Sequence, residues 1–460
     1  MDIQNKNNIN ISGKAISIIG LGRSGIAAAK LAQHHGAQVF ISDASSSELN
    51  RHTLNELKLL NISGEEGGHS DRIYNADLLV ISPGVPKDSQ VILKAIKCGI
   101  PVVGEIEFAY WFSKFPIIAV TGSNGKTTTV NILGKIFKTE TIHGTICGNV
   151  GIPFSQEVLA DTINPDLKRV YILEISSFQM ESIYHFHPNY SLFLNITPDH
   201  LDRHGTLDNY IHCKLRMAEN QTEDDTVIYN QNDLELQHAF VNHKSKVIPF
   251  STIHQSGLFR MNETKIYGPD QESFIGLSQI KIPGQHNIEN IIAASTLSFE
   301  FGISLSHISK TVSEFTGVEH RLEYVTEIDG VTYINDSKAT NLESVIVALS
   351  SFKQPLILIL GGRNKGADFH NLLPHTKVNQ VKQVISYGEA RHEITDSFGD
   401  AVRSESILDL RDAVVTAKNL ASSGDVVLLS PGCASFDQFD HFEERGNMFK
   451  NWVKELEWVK

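Results

Sequence analysis

VTGSNGKTTT, residues 120–129, decides how the chain is read, because it follows the apolar run PIIA and leads into the helix pattern VNILGKIF. A strand, a glycine turn and a helix in that order are the parts of a phosphate loop. Gly122 and Gly125 allow tight turns, so successive N–H groups can face a triphosphate while Lys126 reaches its outer phosphates and Thr127 ligates magnesium. The helix behind the loop turns its positive end to the same anions. The loop is shorter than the usual eight-residue form, since Val120 stands where the first glycine would be.

A second glycine turn, GLGRSG at residues 20–25, lies between the apolar run Ala15 to Ile19 and the alanine-rich helix pattern IAAAKLAQHHGA. Eighteen residues past Gly25 the strand-like QVFIS ends at Asp43, where a dinucleotide-binding domain carries its ribose-binding acid. Such a turn suits any pyrophosphate ligand, NAD included. An NAD oxidoreductase, however, leaves the second phosphate loop unexplained.

The bulk numbers narrow the class. At about 100–200 residues per domain, 460 residues imply two to four domains, and three are expected. A net charge of −13 with scattered Lys and Arg argues against nucleic acid and membrane surfaces, which reward a basic face. The first residues, MDIQNKNNINIS, are polar, and no apolar stretch reaches the roughly 20 residues of a membrane span, so the cytosol is the expected compartment. Cys98, Cys147, Cys213 and Cys433 form no CxxC pair, and each is expected to be a small buried apolar residue. Strand-like runs rich in Ile, Val and Leu alternate with helix patterns from end to end, which is the α/β class.

Polar groups gather where strand-like runs end. Glu174 closes VYILEIS and is a candidate oxygen ligand for magnesium. LFLNITPDHLDRHG delivers Asn195, Thr197, Asp199, His200, Asp202 and His204 to one loop. His200 and His204 are four apart, but Leu201 sits where a zinc protease keeps its glutamate, and Pro198 favours a loop over a helix. His204 is expected to cap or bridge. In the last third, Asp336, Lys338, Thr340 and Asn341 follow TYIN; Arg363, Asn364 and Lys365 follow LILILGG; Ser435 and Phe442 follow VVLLSPG. Ligands bind at the carboxyl ends of parallel strands, so these three loops are a candidate site.

Taken together, TGSNGKTT, EISSFQME, NITPDHLDRHG, GQHNIEN, VEHRLE, NDSKATN and LLSPGCASFDQF resemble the Mur ligase family, in order and along the whole chain. The resemblance implies an N-terminal Rossmann-like domain at 1–112 that binds a UDP-substrate, a central P-loop ATPase-type mononucleotide-binding domain at 113–316, and a C-terminal Rossmann-like domain at 317–460 that binds an amino acid. SSFQME and SPGCASFDQF point to the member that joins D-glutamate to UDP-N-acetylmuramoyl-L-alanine in cell-wall precursor synthesis. The alternative is another Mur or folylpolyglutamate-type ligase with a different amino acid.

On this resemblance the γ-phosphate of ATP activates the substrate carboxylate as an acyl phosphate, which the amine of D-glutamate attacks. Gly122, Ser123, Asn124, Gly125, Lys126, Thr127, Thr128, Asn287, Asn290, Arg321 and Asp336 then hold ATP. Gly22, Arg23, Ser24, Asp43, Ser82, Asn149 and His200 hold the UDP-substrate, and Thr340, Lys365, Ser435 and Phe442 frame D-glutamate. Lys126, His200, Lys214 and Lys338 are the catalytic set. Two Mg2+ sites are implied, one at Thr127 and Glu174, the other at His200 and a carbamylated Lys214. Arg23-Ser24 and Ala44-Ser45 depart from the family pattern, which has an apolar residue then Thr, and a Thr-Arg pair. No nucleic-acid partner and no membrane insertion are implied, and the enzyme is expected to be a cytoplasmic monomer.

Overall fold

A computed structural model describes residue 3 and residues 9–199, 201–254 and 257–456, with 201 and 202 described by backbone alone. Residues 15–104 build a five-stranded sheet from β1 (Ala15–Ile19), β2 (Gln38–Ser42), β3 (Ser63–Glu65), β4 (Leu78–Ile81) and β5 (Val102–Gly104). Its order is β3-β2-β1-β4-β5 and every pair is parallel. The second sheet comprises β6 (Ile117–Thr121), β7 (His143–Gly148), β8 (Arg169–Glu174), β9 (Tyr190–Phe193), β10 (Thr226–Asn230) and β11 (Lys246–Phe250). It is also fully parallel, in the order β11-β10-β9-β6-β8-β7. Strands β12 (Arg260–Met261), β13 (Lys265–Tyr267) and β14 (Ser273–Gly276) form a small sheet after it.

The last sheet contains β15 (Glu323–Ile328), β16 (Val331–Asn335), β17 (Leu356–Gly361), β18 (Val381–Tyr387), β19 (Ser404–Ser406) and β20 (Val426–Gly432). The order is β15-β16-β20-β17-β18-β19, with only the edge strand β15 antiparallel to its neighbour. Three open, mainly parallel sheets bear out the α/β reading. Parallel strands covered on both faces must be apolar throughout. Accordingly β4, β6, β17 and β20 are buried along their whole length.

The chain forms two compact units, one from residues 1–275 and 289–312, the other from 276–288 and 313–460. The first unit holds the first two large sheets, and a single apolar cluster joins them, from Ile16, Ile18 and Leu31 to Ile117, Ala119 and Tyr171. Helix Glu105–Tyr110 leads from one sheet to the other. Its Glu107 is wholly buried and accepts from Trp111 Nε1 (2.7 Å) and from the backbone N–H groups of Tyr184, His185 and Phe186 (2.9, 2.9 and 2.8 Å). In the second unit the two faces of the last sheet carry separate clusters, around Leu356, Leu358 and Leu360 on one side and Ile357, Ile359 and Phe449 on the other.

Two cysteines depart from expectation. Cys147 and Cys433 are buried, but Cys98 is exposed and Cys213 is half-buried. Cys98 caps the end of helix Gln90–Lys97, where side chains face outward, and Cys213 lines an open cleft. Among the described residues no helix is long and apolar enough to cross a membrane.

Candidate active site

The two glycine turns and the polar loops singled out after strand-like runs stand at the carboxyl ends of parallel strands, whereas Asn287 and Asn290 lie in helix Gln285–Glu300 and Arg321 precedes the antiparallel β15. In the first sheet the glycine turn follows β1, Asp43 follows β2 and Ser82 follows β4. A Cβ on Gly25 would collide with the Gly20 carbonyl oxygen and lie 3.0 Å from Ser82 Oγ, so only glycine lets the turn close over Ser82. Ser82 Oγ is buried there without a hydrogen-bond partner. Asp43 accepts from the N–H of Leu21 (2.7 Å) and from Ser45, N–H (2.8 Å) and Oγ (2.5 Å). Burial alone would raise its carboxyl, but these donors hold it below the ordinary aspartate value. Ala44-Ser45 thus keeps the acid ionised through a serine cap. Arg23 is exposed, and its Nη1 donates to the Gly151 carbonyl (3.1 Å), beside the loop that carries Asn149.

In the second sheet the phosphate loop connects β6 to helix Lys126–Ile136. Gly125 has φ +85°, and a Cβ on it would collide with Asn290 Oδ1, so both the left-handed turn and the close approach of this side chain require glycine. The loop is braced from β9: Ser123 N–H donates to Asn195 O (2.9 Å), Asn124 N–H to Asn195 Oδ1 (2.9 Å), and Ser123 Oγ to Thr197 O (2.9 Å). Lys126 Nζ donates to the carbonyls of Gly122 (2.7 Å) and Ser123 (2.8 Å).

Lys214 arrives at the same carbonyl. From helix Leu207–Leu215 its Nζ donates to Gly122 O at 2.9 Å, and the side chain is only 2% exposed. Burial, reinforced by the Lys126 charge, pushes this amine well below the ordinary lysine value. Two amines on one carbonyl favour one of them neutral. Glu174, at the end of β8, has one oxygen held by Asn149 Nδ2 (2.9 Å), while its Oε2 is buried with no hydrogen-bond partner. The orphaned carboxylate oxygen of Glu174, on the strand beside the one that feeds the phosphate loop, has the chemistry of a hard-cation ligand, and with Thr127, buried in the first turn of the following helix, it fits Mg2+.

His200 lies outside the described residues. His204, read as a loop residue, instead closes the short helix Leu201–His204, where Nε2 and Ser177 Oγ are 2.9 Å apart. It bridges, as expected, and it borders a cleft of about 440 Å³ with Lys87, Arg203, His212 and Cys213.

The second unit holds the remaining candidates. Asn287 donates to Pro283 O (2.6 Å). Arg321 has His286 and Asp336 as electrostatic neighbours, and its Nε is buried without a partner. Asp336, read as facing the nucleotide, is itself buried, with its oxygens engaged by Ser430 Oγ (2.8 Å) and Leu322 N–H (3.2 Å). Burial pushes its carboxyl up to about 7 against the pull of Ser430, Arg321 and Arg445. Lys338 Nζ is 5.8 Å from the centre of the Phe442 ring, Thr340 is half-buried, Ser435 is buried and Lys365 is exposed. Phe442 begins helix Phe442–Glu455 and is not in the preceding loop, because His441 Nδ1 caps that helix on Glu444 N–H (3.0 Å). Sequence reasoning missed Glu107, Ser430 and Arg445; most of their partners lie far along the chain, and no local motif marks them.

Comparison with known proteins follows the same three sheets. Residues 15–91 match the MurD N-terminal domain, 120–298 the Mur ligase middle domain, and 320–433 the Mur ligase, glutamate ligase domain. A UDP-N-acetylmuramoylalanine–D-glutamate ligase of Thermoanaerobacter sp. (strain X514) is 40% identical, covering 97% of this chain and 99% of the relative. The same ligase of Koribacter versatilis (strain Ellin345) is 41% identical, with 97% and 99% covered. Among solved structures, a UDP-N-acetylmuramate–alanine ligase of Thermotoga maritima aligns with a TM-score of 0.59 at 19% identity, covering 97% of this chain and 100% of that one. A MurF ligase of Thermotoga maritima in complex with ADP gives 0.57 at 16% identity, covering 99% and 98%. These two likenesses concern the fold.

Proposed function

The chain belongs to the Mur ligase family, and from that premise we propose that it makes an amide between UDP-N-acetylmuramoyl-L-alanine and D-glutamate, with ATP as the driving reactant. It is an ATP-dependent ligase of peptidoglycan precursor synthesis. The observation that carries this substrate pair is the full-length match, at about 40% identity, to relatives bearing that activity. The domain division at 112/113 and 316/317 is part of the same proposal; each family match falls inside one segment.

The chemistry we assign proceeds in two steps. An oxygen of the alanyl carboxylate attacks the γ-phosphorus, the bond to the β-phosphate oxygen breaks, and ADP leaves an acyl phosphate. The amine of D-glutamate then attacks the acyl carbon, loses a proton and expels phosphate. Two anionic reactants must meet, so catalysis is mainly positioning and charge neutralisation. Lys126 and the loop N–H groups from Gly122 to Thr128 take the outer phosphates. Gly125 lets the loop take its left-handed turn against Asn290. Thr127 and Glu174 would hold Mg2+, which supplies further neutralisation of phosphate charge. Asn149 orients Glu174. Burial favours the neutral form of the Lys214 amine, and that form can add carbon dioxide and lose a proton, becoming an anionic carbamate suited to a second Mg2+ together with His200.

Gly22, Ser24, Asp43 and Ser82 are assigned to the UDP end, with Arg23 as an added cation for the diphosphate. Lys365, Thr340, Ser435 and Phe442 are assigned to D-glutamate, and Asn287, Arg321, Asp336 and Lys338 to the nucleotide and the transferred phosphoryl group. We take the enzyme to act as a cytoplasmic monomer. The test is isotopic: with oxygen-18 in the alanyl carboxylate, one labelled oxygen should appear in the released phosphate. Unlabelled phosphate would exclude the acyl phosphate.

A further inference from the structure

Arg445 is wholly buried, at 0% exposure, in the first turn of helix Phe442–Glu455, and it belongs to none of the sets assigned above. A guanidinium can stay buried only if its fixed fork of N–H donors finds oxygens. Its Nε donates to Ser337 Oγ (2.9 Å) and its Nη2 to the Ser337 carbonyl (2.8 Å). Its Nη1 donates to the carbonyl of Cys433 (3.1 Å) and to Tyr387 OH (3.3 Å). Ser337 Oγ donates onward to the Phe442 carbonyl (2.8 Å).

These acceptors come from three places: the loop after β16, the loop after β20 and the end of β18. The loop after β17 joins them through Arg363 and Ala434, which exchange backbone bonds of 2.9 and 3.0 Å. Each residue assigned to the amino acid stands close to one of these ties. Thr340 lies three past Ser337, Ser435 two past Cys433, Lys365 two past Arg363, and Phe442 supplies a carbonyl itself. The four acceptors of the fork are neutral oxygens, so its positive charge also remains near a site assigned to a dicarboxylate.

We propose that Arg445 is a positioning residue for the amino-acid substrate: it holds the loops bearing Thr340, Lys365 and Ser435, and the helix start bearing Phe442, in one register without touching the substrate. This rests on the reading that those loops bind D-glutamate. Lysine keeps the charge but lacks the fork, so Arg445→Lys separates charge from geometry.

The test is steady-state kinetics on full-length Arg445→Lys and Ser337→Ala, with KM measured separately for the amino acid, ATP and the UDP-substrate. The expected result is an amino-acid KM raised by about tenfold or more in Arg445→Lys, with the other two within about twofold, since displaced contacts act at the displaced site. Ser337→Ala should move the same constant by less, and it decides the matter should Arg445→Lys fail to fold. An unchanged amino-acid KM in Arg445→Lys, or a common rise in all three constants, would overturn the proposal. If the parent enzyme rejects D-glutamate, the substrate reading fails, and the same comparison with the amino acid it does consume still judges Arg445.

Discussion

Glu174 offers one oxygen to Asn149 and leaves the other buried and unbonded. Such an atom is destabilising in isolation and becomes favourable once a cation meets it. Glu174→Gln should therefore shift the Mg2+ dependence of turnover to higher concentration and lower kcat by about 100-fold or more, on the scale of losing a transition-state contact. Kinetics across a magnesium series would check this, and an unaltered dependence would remove Glu174 from the metal. Lys126→Ala should abolish turnover while the UDP-substrate still binds by calorimetry; lost UDP-substrate binding would mean that the two glycine loops are exchanged.

Asp336 gives a pH prediction. Its carboxyl is raised from an ordinary 3.8 to about 7, so between those values the folded protein holds more protons than the unfolded chain. Stability must then fall as pH rises through that window. Asp336→Asn should lose this component, so in denaturation from pH 4 to 8 the stability of the variant relative to the parent should rise up to about pH 7 and then level. A pH-independent difference would place the carboxyl's titration elsewhere.

Among elements, the two glycine turns and the strands before them were legible because their signals are local: a run of buried apolar residues, then glycines at fixed spacing. What Lys214 does was only half legible. The sequence pattern predicts its helix, but not that the amine ends buried on the Gly122 carbonyl, 92 residues away. Glu107 was invisible for the same reason, its backbone partners lying 77 to 79 residues on. Removing it would leave two buried donors unmet, Phe186 N–H and Trp111 Nε1, together with the half-buried N–H groups of Tyr184 and His185, and a buried unmet donor costs about 1–3 kcal/mol. Glu107→Ala should therefore destabilise the first unit by roughly 3–5 kcal/mol in chemical denaturation, whereas a loss below about 1 kcal/mol would show that water replaces the carboxylate.

For the whole molecule, the α/β class and the family were legible because motifs recur at strand ends along the entire chain. The buried fork of Arg445 was not, since it ties together loops drawn from residues 337 to 445. Activity requires all of these parts together, and their central claim concerns which amino acid is accepted. Phosphate release from ATP with UDP-N-acetylmuramoyl-L-alanine should be followed with D-glutamate, L-glutamate, L-alanine and meso-diaminopimelate in parallel. Release with D-glutamate alone is the expected result; release with another of these acids and not with D-glutamate would contradict it.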